Sequence, residues 1–134
     1  MIRSLICIAS VIIYIIPVEV AIAQSNWVLV GEDAGTKFYV DPSTKKINGN
    51  AATIWTLNDF KYPEKYSDGR EALSEAALSQ YDCYGDRGRT LSLVVKSGHM
   101  LAGTTIVSAD QPFEWRHTVP GSVAATISKY ACKR

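Results

Sequence analysis

Few residues of this 134-residue chain could do chemistry, and their spacing argues against catalysis. There are two histidines. His99 lies in a glycine-bounded turn, and neither it nor His117 shares metal-ligand spacing with the other or with a nearby cysteine or carboxylate. A nucleophilic serine needs a base beside it. Pro120-Gly121-Ser122-Val123-Ala124 lacks the second glycine of a nucleophile elbow, so Ser122 reads as a helix N-cap. Glu32-Asp33 and Asp82 with Asp86 read as turn residues, although glycosidase carboxylates assemble in space rather than in sequence. No glycine-rich stretch would cradle a phosphate. We therefore assign no catalytic, metal-ligating or cofactor-binding residue and read the chain as non-enzymatic.

The cysteines carry a different message. Met1-Ile2-Arg3 supplies one positive charge, Leu5 to Ile16 is almost unbroken apolar sequence, and Pro17 ends it. Ala21-Ile22-Ala23 then places small residues where a signal peptidase reads, so residues 1–23 are expected to be a signal peptide and Gln24 the mature N-terminus. The apolar run is shorter than the roughly 20 residues of a membrane span, and Glu19 interrupts its only extension. Cys7 precedes the apolar core, whereas a lipoprotein cysteine follows it. The reading is an exported chain with no stable membrane anchor, periplasmic, secreted or at the cell surface. Cys83 and Cys132 remain as an even pair in an oxidising compartment and are read as a disulfide. Closing a loop of about 50 residues contributes roughly 4 kcal/mol on the chain-entropy model.

Residues 24–134 form a single domain by length. The net charge of +1 comes from interspersed residues. No basic face of the kind nucleic acids require is visible. The elements that must position the remaining residues are mostly strands. Trp27-Val28-Leu29-Val30 reads as a buried strand ended by Gly31, and Lys37 to Asp41 as a second, with Pro42 stopping its ladder. Asn48-Gly49 is a hairpin signal, after which Asn50 to Asp59 alternates. Lys61 to Arg70 reads as a loop holding Tyr62 and Tyr66. Glu71 to Tyr84 is ambiguous: alanine-rich sequence favours helix, yet a period-2 reading is available. Leu91, Leu93 and Val95 mark one further strand, and Thr104 to Ser108 another. From Ser122, the residues Val123, Ile127 and Tyr130 recur on one helical face, widened by Ala124 and Ala131. Cys132 at the helix end would tie that helix to the sheet through Cys83. Strands followed by one helix make an α+β fold with an antiparallel sheet.

Aromatic residues are the remaining functional candidates. Trp27, Trp55 and Trp115 are expected to be largely core. Phe113-Glu114-Trp115-Arg116-His117 mixes aromatic, acidic and basic groups. It is either a segment packing Trp115 under the helix or a recognition patch, tryptophan and arginine being enriched at interface hot spots. Tyr62, Tyr66, Trp115 and Arg116 are the candidate protein-binding surface.

Seven segments, in order, resemble one family: Trp27-Val28-Leu29-Val30, Phe38-Tyr39-Val40-Asp41-Pro42, Trp55-Thr56-Leu57-Asn58-Asp59, Tyr81-Asp82-Cys83, Glu114-Trp115-Arg116, Val119-Pro120-Gly121-Ser122 and Ala131-Cys132. The chain is similar, from Trp27 to Cys132, to the bacterial surface-adhesin protein E family of small exported proteins. The resemblance implies a single antiparallel sheet of about six strands, a C-terminal helix fastened by Cys83–Cys132, and a strand at Glu71 to Cys83. It also implies binding to host extracellular-matrix or serum proteins, with no compact motif to carry over. The chain departs from the lipid-anchored adhesins in having no lipobox. An alternative is therefore a periplasmic inhibitor or accessory protein of an envelope hydrolase; a small hydrolase is a third reading.

Overall fold

The computed structural model describes residues 26–134, so the signal peptide expected at residues 1–23 lies outside the described residues. Strands β1 (Val28–Glu32), β2 (Thr36–Asn48), β3 (Ala51–Lys65), β4 (Glu71–Asp82), β5 (Arg87–Lys96) and β6 (Thr105–Ala109) lie side by side in chain order. Every neighbouring pair is antiparallel. A two-residue strand β7 (Arg116–His117) pairs with the start of β5, and helix α1 (Val123–Cys132) follows. Local chemistry sets the turns. Asp33 Oδ1 accepts the amides of Gly35 and Thr36 between β1 and β2, an Asx turn. The β2–β3 hairpin turns on Gly49-Asn50, one residue beyond the expected Asn48-Gly49, because Asn48 still pairs with Ala51; Gly49, at φ +58°, supplies the left-handed first position of the loop. Ser122 caps α1 as expected, its Oγ accepting from the amide of Ala125 at 3.1 Å.

The helix-favouring alanines of residues 71–82 lie in a central strand. β4 pairs with β3 from Asp82 to Ser74 without interruption and with β5 along most of its length. Helix propensity differs from strand preference by a few tenths of a kcal/mol per residue, and pairing along both edges outweighs it. The small residues suit crowding: Ala72 and Ser74 are fully buried and Ala76 nearly so.

Elsewhere the strands run past the expected stops. β1 is an edge strand rather than a buried one, leaving Val28 45% and Leu29 49% exposed, and it continues through Gly31 across a bulge. Pro42 falls within β2 because the ladder breaks between Asp41 and Lys46 and resumes. Asp41 accepts from the amide and hydroxyl of Ser43, and Thr44 Oγ1 takes the amide of Trp55 in place of a ladder partner. The expected loop Lys61 to Arg70 is strand up to Lys65, and the turn proper is closed by Tyr66 N–H donating to Arg70 O. None of the three tryptophans is buried. The core holds smaller residues instead.

That core has two parts. Under the helix, Val40, Ala52, Ile54 and Tyr81 meet Ile127 and Ala131. Farther along the sheet, Ala72, Val95 and Ile106 form a second cluster. On α1, Ile127 and Ala131 face inward, while Tyr130 is 37% exposed and Ala124 is exposed, contrary to the expected helical face. Tyr130 instead packs under Lys45, whose Nζ lies 5.7 Å from its ring centroid and donates to the carbonyls of Tyr130 and Lys133. A cation there also complements the helix dipole. The Cys83–Cys132 disulfide joins the end of the β4 region to the last residue of the helix, across 49 positions. Replacing both cysteines by serine is expected to cost about 2–4 kcal/mol while keeping the sheet. Urea unfolding followed by tryptophan fluorescence, with far-ultraviolet circular dichroism as the control for fold, checks this.

Candidate functional site

Pairing across β4 and β5 sorts their side chains onto two faces. Tyr81 stands opposite Gly88 and Ser79 opposite Thr90, on the face that carries the helix. Gln80 and Asp82 stand opposite Arg89 and Arg87 on the other face.

On the helix face lies a cleft of about 750 Å³ between β5, α1 and residues 112–118. Ser79, Tyr81 and Thr90 line it from the sheet, and Ala124 from the helix. Phe113, Glu114, Arg116 and His117 line it from the segment before the helix. Gly88 leaves room for the floor: a Cβ there would come within 2.9 Å of Tyr81 Cδ1. Burial pushes the Tyr81 hydroxyl to a higher pKa, so it stays protonated as a donor. Arg116 and Glu114 are exposed and enter none of the ion pairs among the described residues. Phe113 is 47% exposed.

The wall of this cleft is held from behind. Trp115 is not under the helix. Its ring centroid lies 4.8 Å from Arg87 Cζ and 4.5 Å from Arg89 Cζ. Those guanidiniums are fixed in turn: Arg87 Nε donates to Asp82 Oδ2 at 3.0 Å and Arg89 Nε to Gln80 Oε1 at 2.7 Å. The backbone adds bonds from Phe113 N–H to Thr90 O and from Thr118 N–H to Asp86 O, beside the β7 pairing. Trp115 is thus an anchor for its neighbours. The Asp82 carboxyl is held below the usual range by the amide of Tyr84 and by Arg87.

The other sequence candidates lie apart from the cleft. Tyr62 is 65% exposed near the end of β3, with Lys61 Nζ 5.3 Å from its ring centroid. Tyr66 is half-buried and packs against the Ala72–Val95–Ile106 cluster. The structure brings Arg116 together with Phe113, Glu114 and His117, but does not join them to the tyrosines.

Two features were not visible in the sequence. His99 is not isolated: its Nδ1 lies 3.1 Å from Asp59 Oδ2, and the amide of Met100 donates to Asp59 Oδ1 at 2.7 Å. The pair sits beside a second cleft of about 640 Å³ that Lys37 and Lys61 also line. Ser74 Oγ holds the same turn by donating to Gly98 O and accepting from the amide of Leu101. Through Asp59 the pair clasps the turn at residues 98–101 against β3. Among the described residues, no group of three His, Cys, Asp or Glu side chains is placed to hold a metal ion. The second feature is Glu75, in the middle of β4. Burial and then the nearby charge of Glu64 raise its pKa, against a hydrogen bond from Asn58 Nδ2 at 2.8 Å.

With the fold and the cleft in hand, the chain can be placed. It belongs to the surface-adhesin protein E family, whose model matches residues 27–133. Its fold is that of Haemophilus influenzae protein E. The selenomethionine form superposes with a TM-score of 0.61 at 10% identity, covering 81% of this chain and 87% of that one. A further structure of the same protein gives 0.60 at 10% identity, covering 81% and 85%. Its crystal form II gives 0.58 at 11% identity, covering 81% and 88%. A comparison with curated proteins returns no match.

Two expectations follow from this geometry. Trp115→Ala should cost about 2 kcal/mol, from two cation–π contacts and lost apolar packing, whereas Arg116→Ala should stay within about 0.5 kcal/mol of the parent. Chemical denaturation of both variants checks the contrast. For Glu75 the sign follows from its raised pKa. Its contribution to stability is complete below the unfolded carboxyl range and is lost as pH rises through the folded value. Glu75→Gln, which keeps an acceptor for Asn58, should therefore match the parent near about pH 4 and exceed it near about pH 7. A variant no more stable at neutral pH would contradict this.

Proposed function

We propose that this chain is an exported, non-enzymatic binding module that holds a protein partner through the exposed surface of residues 112–118, in the manner of an adhesin. Family membership supports the adhesin role. The observation that carries the location is the Trp115 anchor. It fixes a run of exposed, unpaired aromatic, acidic and basic groups on one wall of a cleft, and binding surfaces concentrate on loops held by a rigid scaffold. The resemblance described above suggests a host extracellular-matrix or serum protein as the partner class. Tyr62 extends the candidate surface on a separate part of the molecule, while Tyr66 packs against the Ala72–Val95–Ile106 cluster and offers less to a partner. Cleavage before Gln24 would free the domain for display or release, and Cys83–Cys132 suits an oxidising compartment.

Two measurements test this. Whole cells carrying the protein should be labelled by an antibody to the folded domain without permeabilisation; labelling only after permeabilisation would favour the periplasmic inhibitor or accessory reading. A pull-down with the oxidised domain then supplies the partner. Phe113→Ala with Arg116→Ala should weaken its capture about tenfold or more with the fold intact, and Tyr62→Ala by less. Capture unchanged by the double variant would remove this surface from consideration.

A further inference from the structure

We infer that the cleft between β5, α1 and residues 112–118 takes an extended peptide segment whose carboxylate pairs with Arg116. The inference rests on the binding surface proposed above and names the chemistry that the surface would recognise.

The groups that line the cleft differ in what they can offer. Arg116 presents a guanidinium that is exposed and unpaired among the described residues; Arg89 also lines the cleft, but it stacks on Trp115 and donates through Nε to Gln80, and Arg87, outside the lining, is held by Trp115 and Asp82. The planar fork of a free arginine matches a carboxylate by two parallel hydrogen bonds. Glu114 lines the same wall and is also unpaired. Its charge opposes a polyanion such as a nucleic acid, which requires clustered cations. It suits a ligand that brings N–H donors or an ammonium beside its carboxylate, and a peptide chain brings both. On the sheet side the Thr90 hydroxyl offers a donor and an acceptor to a peptide backbone, and Ser79 Oγ, already bonded to Thr56 Oγ1 at 3.2 Å, keeps part of its capacity. Phe113, nearly half exposed, and Pro112 give an apolar side chain a place to rest. A volume of about 750 Å³ lies within the range of ligand-sized clefts and accommodates a few residues.

The test uses the oxidised domain and two end-capped heptapeptides, each with one lysine among leucines and serines. One contains a single glutamate and the other a glutamine in its place. Calorimetric titration should show the glutamate peptide binding about tenfold more tightly, with the preference falling as salt is added. Arg116→Ala should abolish the preference and Arg116→Lys retain part of it. Arg116 is exposed, so both variants should fold, which circular dichroism verifies. Equal binding of the two peptides, or a preference that survives Arg116→Ala, overturns the carboxylate pairing. The partner capture described above reports separately on the surface. If Phe113→Ala weakens capture while the peptides are not distinguished, the surface stands and the carboxylate inference fails.

Discussion

Strand β4 is bonded along both edges, and the rest of the molecule is arranged around that fact. Its pairing with β3 and β5 fixes which of its side chains look toward the helix and which look away. Toward the helix go Tyr81 and Ser79, the floor of the cleft. Away from it go Gln80 and Asp82, which hold the two arginines that hold Trp115. Ser74 anchors the turn that carries His99, and Cys83, just past the strand, binds the helix. A shift of this strand by one residue would exchange all of these roles at once.

The small residues of β4 explain how one strand can serve so many neighbours. Ala72, Ser74 and Ala76 add little bulk to a crowded sheet interior. The same composition made the segment ambiguous as sequence, because alanine favours helix in isolation and only long-range pairing reveals its use as strand filler. The antiparallel sheet, the terminal helix, its serine cap and the disulfide were legible, since each depends on local pattern or on a count of cysteines, whereas the number of strands came from the resemblance and their order from the structure. The stops were less so. Pro42 lies where a bulge removes the need for its missing donor, and Pro63 lies in the stretch where β3 and β4 fall out of register.

The candidate site was legible in composition but not in arrangement. Phe113 to His117 stood out as a mixed cluster, yet which members face a partner depends on where Trp115 goes. The i, i+2 spacing of Arg87 and Arg89 on a strand does place both on one face, which is a local signal for an aromatic partner. Nothing local indicates that Asp59 and His99 meet across 40 positions, or that Glu75 is flanked by Glu64. Such encounters follow from register, and register is a property of the assembled sheet.

Chain-order pairing also has a kinetic meaning. Each strand of this meander finds its partner next to it in sequence, so the sheet can zip from any hairpin with short loop closures. Helix α1 is the exception, since it must travel back from beyond β7 to cover strands β1 to β4. Its cysteine can bond Cys83 only when the helix end lies against the sheet, where the two Cα atoms are 5.6 Å apart. Oxidation of this chain therefore reports that helix and sheet have met, whereas in a reduced molecule the packing of Ile127 and Ala131, without a covalent tie, would hold the helix in place.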